Sequence, residues 1–128
     1  MAEIQAKLQS LSEDFQKLQQ DLQAAVQSRQ KLEAQKQENL GVQKEFERLK
    51  EGESIYKLVG PVLLKQDKPE AESTVKGRLE FISNELERTE SQIKDIQDRI
   101  EKKKGEILQA QAGLQSGGGV PGKVAAKG

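Results

Sequence analysis

The segment Gly117 to Lys123 is the part of the chain that comes nearest to a nucleotide-binding site. It matches the first seven positions of the phosphate-binding loop pattern G-x-x-x-x-G-K. The eighth position is Val124, where that pattern needs a Ser or Thr hydroxyl for magnesium. The four residues after Val124 are too few for the helix whose amino end faces the phosphates. We therefore expect no ATP site and no cofactor.

Other kinds of catalytic chemistry lack their usual side chains. The chain has no His and no Cys, which removes the commonest general base, the thiolate nucleophile and the usual metal ligands. Its carboxylates are spread along predicted helix faces, as in the Glu90 and Lys94 pair at i, i+4 spacing, and two helices form no cleft that would shift a pKa. The sequence predicts no enzyme, and neither catalytic nor metal-binding residues.

The composition indicates an extended helical protein. Apolar residues make up 34% of the chain, charged residues 33% and aromatic residues 3%, whereas globular domains average about 45 to 50% apolar and 25% charged residues. So little apolar material fits either disorder or helices that bury a thin stripe. A net charge of zero disfavours nucleic-acid binding. There is no signal-like segment and no apolar run of the roughly 18 residues that span a bilayer, so a cytoplasmic location is expected.

Apolar residues recur at alternating steps of four and three in the first part of the chain, the spacing of a coiled-coil seam. The seam residues are Ile4, Leu8, Leu11, Phe15, Leu18, Leu22 and Ala25. The same register then places Arg29, Lys36 and Asn39 at seam positions, so the seam weakens. Val42, Phe46 and Leu49 restore the pattern one residue early, which predicts a three-residue stammer near Gly41. Gly41 is either a flexible joint or the end of the helix.

The second arm keeps this spacing without a slip. Its seam consists of Val75, Leu79, Ile82, Leu86, Thr89, Ile93, Ile96, Ile100, Lys103, Ile107, Ala110 and Leu114. Asp67 is a suitable cap, and Pro69 suits the first helical turn. The predicted helices cover about 5–50 and 69–113, and the short connection favours an antiparallel coiled coil.

Between the arms, residues 54–66 form a predicted β-hairpin around Gly60-Pro61. Ile55 and Val59 face one way and Tyr56 and Leu58 the other, so both faces are apolar. Such a hairpin either packs on the root of its own coiled coil or is buried between neighbouring chains. The predicted domain is 1–114, and residues 115–128 are a flexible Gly-rich tail.

Three stretches resemble the β class of the prefoldin family: residues 28–39, the hairpin residues 56–66, and residues 75–87. The hairpin sequence is the most specific of them. The resemblance implies a mostly α fold in which a long antiparallel two-helix coiled coil is joined by one hairpin that pairs into an inter-subunit β-barrel. It also implies a hetero-hexamer of α-class and β-class subunits, an ATP-independent chaperone that captures unfolded proteins, actin and tubulin included, and passes them to the cytosolic chaperonin.

Two sets of residues are then candidates for function. The residues expected to drive assembly lie in the hairpin: Ile55, Tyr56, Leu58, Val59, Gly60, Pro61, Val62, Leu63 and Leu64. The residues expected to bind clients lie at the distal end of the coil, where fraying would expose them: Ile4, Leu8, Leu11, Phe15, Ile107, Leu108 and Leu114. The alternative is that the latter merely close the coil. The alternative function is a purely structural coiled-coil scaffold or tether; an enzyme and a nucleic-acid binder are further rivals.

Overall fold

The computed structural model describes residues 2–50 and 52–117, and the side chains as far as residue 115. Its elements in chain order are helix α1 (Ala2–Arg48), strand β1 (Ile55–Val59), strand β2 (Val62–Gln66) and helix α2 (Lys68–Gly117). The two strands form one antiparallel sheet. The predicted fold class, two long helices joined by one hairpin, is confirmed.

The described residues divide into two compact units. The first unit combines residues 2–26 of α1 with residues 91–117 of α2. The second unit is Gln27–Glu90, which contains the hairpin and the helical segments on either side of it. Each helix therefore contributes to both units, and each unit contains a segment of α1 and a segment of α2.

The seam of α2 is buried along its whole length, as its spacing predicted. Ala71, Val75, Ile82, Leu86, Thr89 and Ile100 are buried, and the remaining predicted seam positions of α2 are half-buried. The residues between them are mostly exposed. Steps of four and three keep one stripe of an α-helix turned toward its partner, so this burial pattern is that of a coiled-coil seam.

The seam of α1 is looser. Leu11 is buried, whereas the other apolar seam residues from Ile4 to Ala25 are half-buried. Arg29, Lys36 and Asn39 also lie half-buried at seam positions, as the register predicted. Long polar side chains can lay their apolar stems along a seam while their polar ends reach water, which keeps the helix pair closed there.

The predicted stammer near Gly41 is wrong. Val42 is 42% exposed, whereas Gln43 is half-buried, so the steps of four and three continue through Asn39, Gln43 and Phe46 without a slip. Keeping one spacing places the Phe46 ring in the seam without overwinding the helix. Gln43 is accommodated because its stem is apolar and its amide can reach solvent.

Gly41 does not end α1, because the helix continues to Arg48. A glycine inside a helix costs about 1 kcal/mol relative to alanine. Half-buried seam residues lie on both sides of Gly41, and their packing offsets that cost. The interpretation of Gly41 as a helix end is therefore wrong.

The helix ends differ from the predicted bounds by a few residues. At the start of α2, the Ala71 N–H donates to the carbonyl of Asp67 at 2.9 Å, which makes Asp67 the last residue before the helix. At its other end, α2 continues to Gly117 rather than stopping at about 113, because half-buried Leu114 anchors the last turns. Residues 118–128 of the predicted tail, and with them most of the segment resembling a phosphate-binding loop, lie outside the described residues.

Charged contacts join α1 to α2 within each unit. In the first unit, Lys103 Nζ lies 3.7 Å from Asp14 Oδ2 and 3.2 Å from Glu106 Oε1. In the second unit, the Arg29 guanidinium donates from Nε and Nη2 to Glu90 Oε2, at 3.1 and 2.9 Å. Asp14 pairs with the later residue of α2, Lys103, and Arg29 pairs with the earlier one, Glu90, which is the order expected for antiparallel helices.

The apolar seam contributes more to stability than these ion pairs. Because Leu86 is buried, Leu86→Ala is expected to lower the free energy of unfolding by about 2 to 3 kcal/mol. Glu90→Gln should cost less than about 1 kcal/mol, because exposed ion pairs are screened by water. Urea unfolding followed by far-UV circular dichroism measures both, and a larger loss for Glu90→Gln would contradict the seam as the main source of stability.

Gly41→Ala is expected to stabilise the helix pair. A Cβ at Gly41 meets no atom within 4 Å, so the gain in helix propensity of about 1 kcal/mol is obtained without strain. The control is Gly60→Ala, which should give no gain because Gly60 has a φ of 58°. Thermal unfolding of the two variants tests this, and a lower melting temperature for Gly41→Ala would contradict it.

Candidate functional site

The hairpin is built by its turn and its β-branched strands. Gly60 has a φ of 58°, a conformation that glycine adopts without strain, and Pro61 follows it at the second central position of the turn. A positive φ followed by a negative φ is the pattern of a type II′ turn, whose twist matches that of paired strands. Val59 and Val62 pair directly across this turn.

The register assigns every strand residue to one of two faces, because directly paired residues of an antiparallel sheet share a face. We call one face the Lys57 face; it consists of Ile55, Lys57, Val59, Val62, Leu64 and Gln66. We call the other the Leu58 face; it consists of Tyr56, Leu58, Leu63 and Lys65. Both faces are therefore rich in apolar side chains, as the alternation in the sequence predicted.

Most of these apolar side chains are open to solvent. Tyr56, Leu58, Val59, Val62, Leu63 and Leu64 are each between 48% and 69% exposed. Ile55, at the base of the hairpin, is half-buried. The alternative in which the hairpin simply packs on the root of its own coiled coil does not agree with this exposure. A contiguous apolar surface of this kind usually marks an interaction site.

The strand edges add a second means of binding. The sheet formed by the described residues has only β1 and β2, so each strand turns one row of backbone N–H and C=O groups away from its partner. Such edges pair readily with strands of another chain. An isolated two-stranded hairpin is also marginally stable in water, and further strands would stabilise it.

The residues predicted to bind clients all belong to the first unit, so the structure places them in one compact part of the fold. They differ in exposure. Leu11 is buried, Leu108 is 65% exposed, and Ile4, Leu8, Phe15, Ile107 and Leu114 are half-buried in the seam. Leu108 is thus already accessible to a partner, whereas the others become accessible only if the helix ends separate.

One exposed aromatic residue was missed by the sequence analysis. Phe81 is 64% exposed and lines an open groove in the second unit with Gln35, Asn39, Gly77 and Arg78. Its signal was available, because Phe81 lies between the seam positions Leu79 and Ile82 and so on a face that turns away from the seam.

Among the described residues there is no group of three or more His, Cys, Asp or Glu side chains that could hold a metal ion. Neither helix, over the same residues, has a stretch long and apolar enough to cross a membrane. A groove in the first unit is lined by Asp14, Lys17, Asp21, Arg99 and Lys102 among others, where both signs of charge alternate. What the structure offers a partner is therefore apolar surface and strand edges.

Several known proteins are similar to this chain in sequence. The profile of the family described as "Prefoldin subunit" matches residues 9–113. Over 128 residues the chain is 43% identical to prefoldin subunit 6 of Bos taurus, a match that covers 96% of this chain and 99% of that protein. Over 101 residues it is 43% identical to prefoldin subunit 6 of Saccharomyces cerevisiae, covering 79% of this chain and 89% of that protein.

A solved structure of a prefoldin subunit is similar to this chain in its fold. The prefoldin beta subunit from Thermococcus strain KS-1 superposes with a TM-score of 0.74 at 27% identity, covering 81% of this chain and 91% of that one. The matches span both helices and the hairpin between them, and the similarity to subunit 6 extends over nearly the whole chain. On this evidence the chain belongs to the prefoldin family of chaperone subunits.

Proposed function

We propose that this chain is one subunit of a hetero-hexameric, ATP-independent chaperone that works in the cytoplasm. Its partners are α-class and β-class prefoldin subunits, its clients are unfolded proteins, actin and tubulin among them, and it delivers those clients to the cytosolic chaperonin. The observation that carries this proposal is the hairpin, whose apolar side chains are exposed on both faces in the single chain. A protein that works alone gains nothing from such a surface.

Assembly follows from the physical chemistry of the hairpin. Fully burying one leucine or valine side chain contributes about 1.5 to 3 kcal/mol. Several such residues become buried together when sister hairpins cover one face, and the open strand edges add backbone hydrogen bonds at the same time. The combined contribution offsets the entropy lost when subunits associate.

Client capture is assigned to the first unit. Leu108 is exposed and can contact a client without any change in the helices. Fraying of the helix ends would also expose Leu8 and Leu114, which are half-buried. Each apolar contact with an unfolded chain is weak. Several subunits acting on one client raise the total affinity through multivalency, and release needs no nucleotide because each contact breaks independently.

A structural scaffold or tether remains the second candidate, because paired helices alone serve that role in many proteins. The two functions differ in what they require of the hairpin and of the exposed side chains of the first unit. A tether has no need of client contacts at Leu108, whereas a chaperone subunit does.

The first test is the mass of the purified chain, alone and mixed with α-class and β-class prefoldin subunits, by native mass spectrometry. We expect the mixture to form a hetero-hexamer that contains this chain. The assembled mixture should also suppress aggregation of denatured actin without ATP. A chain that stays outside every assembly, or an assembly without effect on aggregation, would contradict the proposed function.

Leu108→Ser, placed in the assembled hexamer, is expected to weaken the capture of denatured actin several-fold. The matched control is Phe81→Ser, because Phe81 lies on the same helix and is exposed to almost the same extent, 64% against 65% for Leu108. Light scattering of denatured actin at increasing chaperone concentration measures capture. An equal loss for the two variants would refute the assignment to the first unit.

The half-buried residues need a separate test. Leu8→Ser combined with Leu114→Ser should lower client capture further, because these side chains become available when the helix ends separate. Hexamer formation is checked first by native mass spectrometry, so that a loss of capture is not a loss of assembly. Unchanged capture in an intact hexamer would mean that these residues only close the coiled coil.

A further inference from the structure

The two faces of the hairpin differ in where they carry charge. On the Lys57 face, Lys57 stands at the centre, between Ile55 and Val59 and paired with Leu64. On the Leu58 face, Leu58 and Leu63 form the pair nearer the turn, and Lys65 lies toward the base of the hairpin, paired with Tyr56. A partner that covered the Lys57 face would bury a central ammonium group. A partner that covered the Leu58 face would leave Lys65 at its margin, where it can reach water.

The exposed fractions of the side chains also favour the Leu58 face as the one that a partner covers. Tyr56, Leu58 and Leu63 on the Leu58 face are 57 to 69% exposed, whereas Val59, Val62 and Leu64 on the Lys57 face are 48 to 52% exposed. Ile55 and Gln66, which complete the Lys57 face at the base, are half-buried. The larger side chains and the greater exposed fractions are therefore on the Leu58 face, which has more apolar surface left to bury.

From these differences we infer that the hairpin turns its Leu58 face toward the hairpins of the other subunits and keeps its Lys57 face outermost. This inference rests on the proposed function, since it names the surface by which the subunit joins the assembly. The partner that fits is another β-hairpin with an apolar face of its own.

The geometry of sheets supports this choice of partner. When hairpins join edge to edge, each added strand continues both faces of the sheet. A sheet that curves until it closes buries one face in its interior and leaves the other outside. The interior of a small closed sheet is filled by side chains, so it accepts Leu and Tyr. It does not accept an unpaired ammonium group, because removing a charge from water is costly.

The sequence supplies a matched pair of positions for the test. Leu63 and Leu64 are adjacent in β2 and of the same residue type, and they lie on opposite faces. Both are exposed in the single chain, so lysine at either position disturbs the subunit's own packing little. Leu63→Lys and Leu64→Lys are each mixed with the partner subunits, and the hexamer fraction is measured by native mass spectrometry. Circular dichroism first checks that both variants keep their helices.

Leu63→Lys is expected to lower the association constant of the subunit at least about tenfold more than Leu64→Lys does, because only Leu63 lies on the face that the partner hairpins cover. A second pair, Leu58→Lys and Val59→Lys, repeats the comparison on β1 and is expected to give the same order. Equal losses within a pair, or a larger loss from the Lys57 face, would overturn the face assignment while the hexamer of the unaltered chain still stands. Failure of the unaltered chain to assemble would overturn the proposed function as well.

Discussion

The structure depends on how its few apolar residues are distributed between the seam of the two helices and the hairpin. With 34% apolar residues, the chain can fill one stripe between two helices and no thick core. The stripe uses leucine, isoleucine and valine at steps of four and three, and the outer helix faces are mostly polar, with Phe81 and Leu108 as exposed apolar exceptions. Two slender helices offer little surface for covering anything else. The apolar hairpin is therefore left exposed, and its need for partners follows from the thinness of the seam.

The seam itself is not uniformly apolar. Arg29, Lys36 and Lys103 lie half-buried at positions where leucine would pack more tightly, and both Arg29 and Lys103 form ion pairs with the opposite helix. Polar groups at seam positions weaken a coiled coil but penalise other registers, because a shifted register would separate each charge from its partner. The seam of this chain therefore combines apolar packing with a few charged contacts between the two helices.

Much of this fold could be predicted from the sequence, and the exceptions have physical causes. The α2 seam was predicted position by position because nearly every seam residue there is apolar. The hairpin faces followed from alternation around Gly60-Pro61. The prediction for Val42 was wrong, because the apolar residue of the pair Val42 and Gln43 does not take the inner position. The helix instead kept its spacing, buried part of Gln43 and left Val42 exposed. Unbroken packing of neighbouring turns outweighed the preference of a single side chain.

The candidate functional residues could also be predicted only in part from the sequence. The residue types alone show that the hairpin is apolar. Its exposure depends on how much of its surface the helices cover, which the composition only suggests. Leu108 was predicted from its position near the end of α2, and its exposed fraction of 65% shows that its side chain lies off the seam, beside half-buried Ile107. Phe81 was overlooked because the search followed the seam. Exposed apolar residues off the seam are the signal to look for in such chains.

The proposed assembly requires that the hairpin be open to water in the single chain and covered by sister hairpins in the complex. Hydrogen–deuterium exchange of the amides in residues 55–66, measured on the chain alone and after mixing with the partner subunits, tests it most directly. We expect these amides to exchange rapidly in the single chain and to be strongly protected in the mixture. Equal exchange in both samples, or full protection in the single chain, would contradict it.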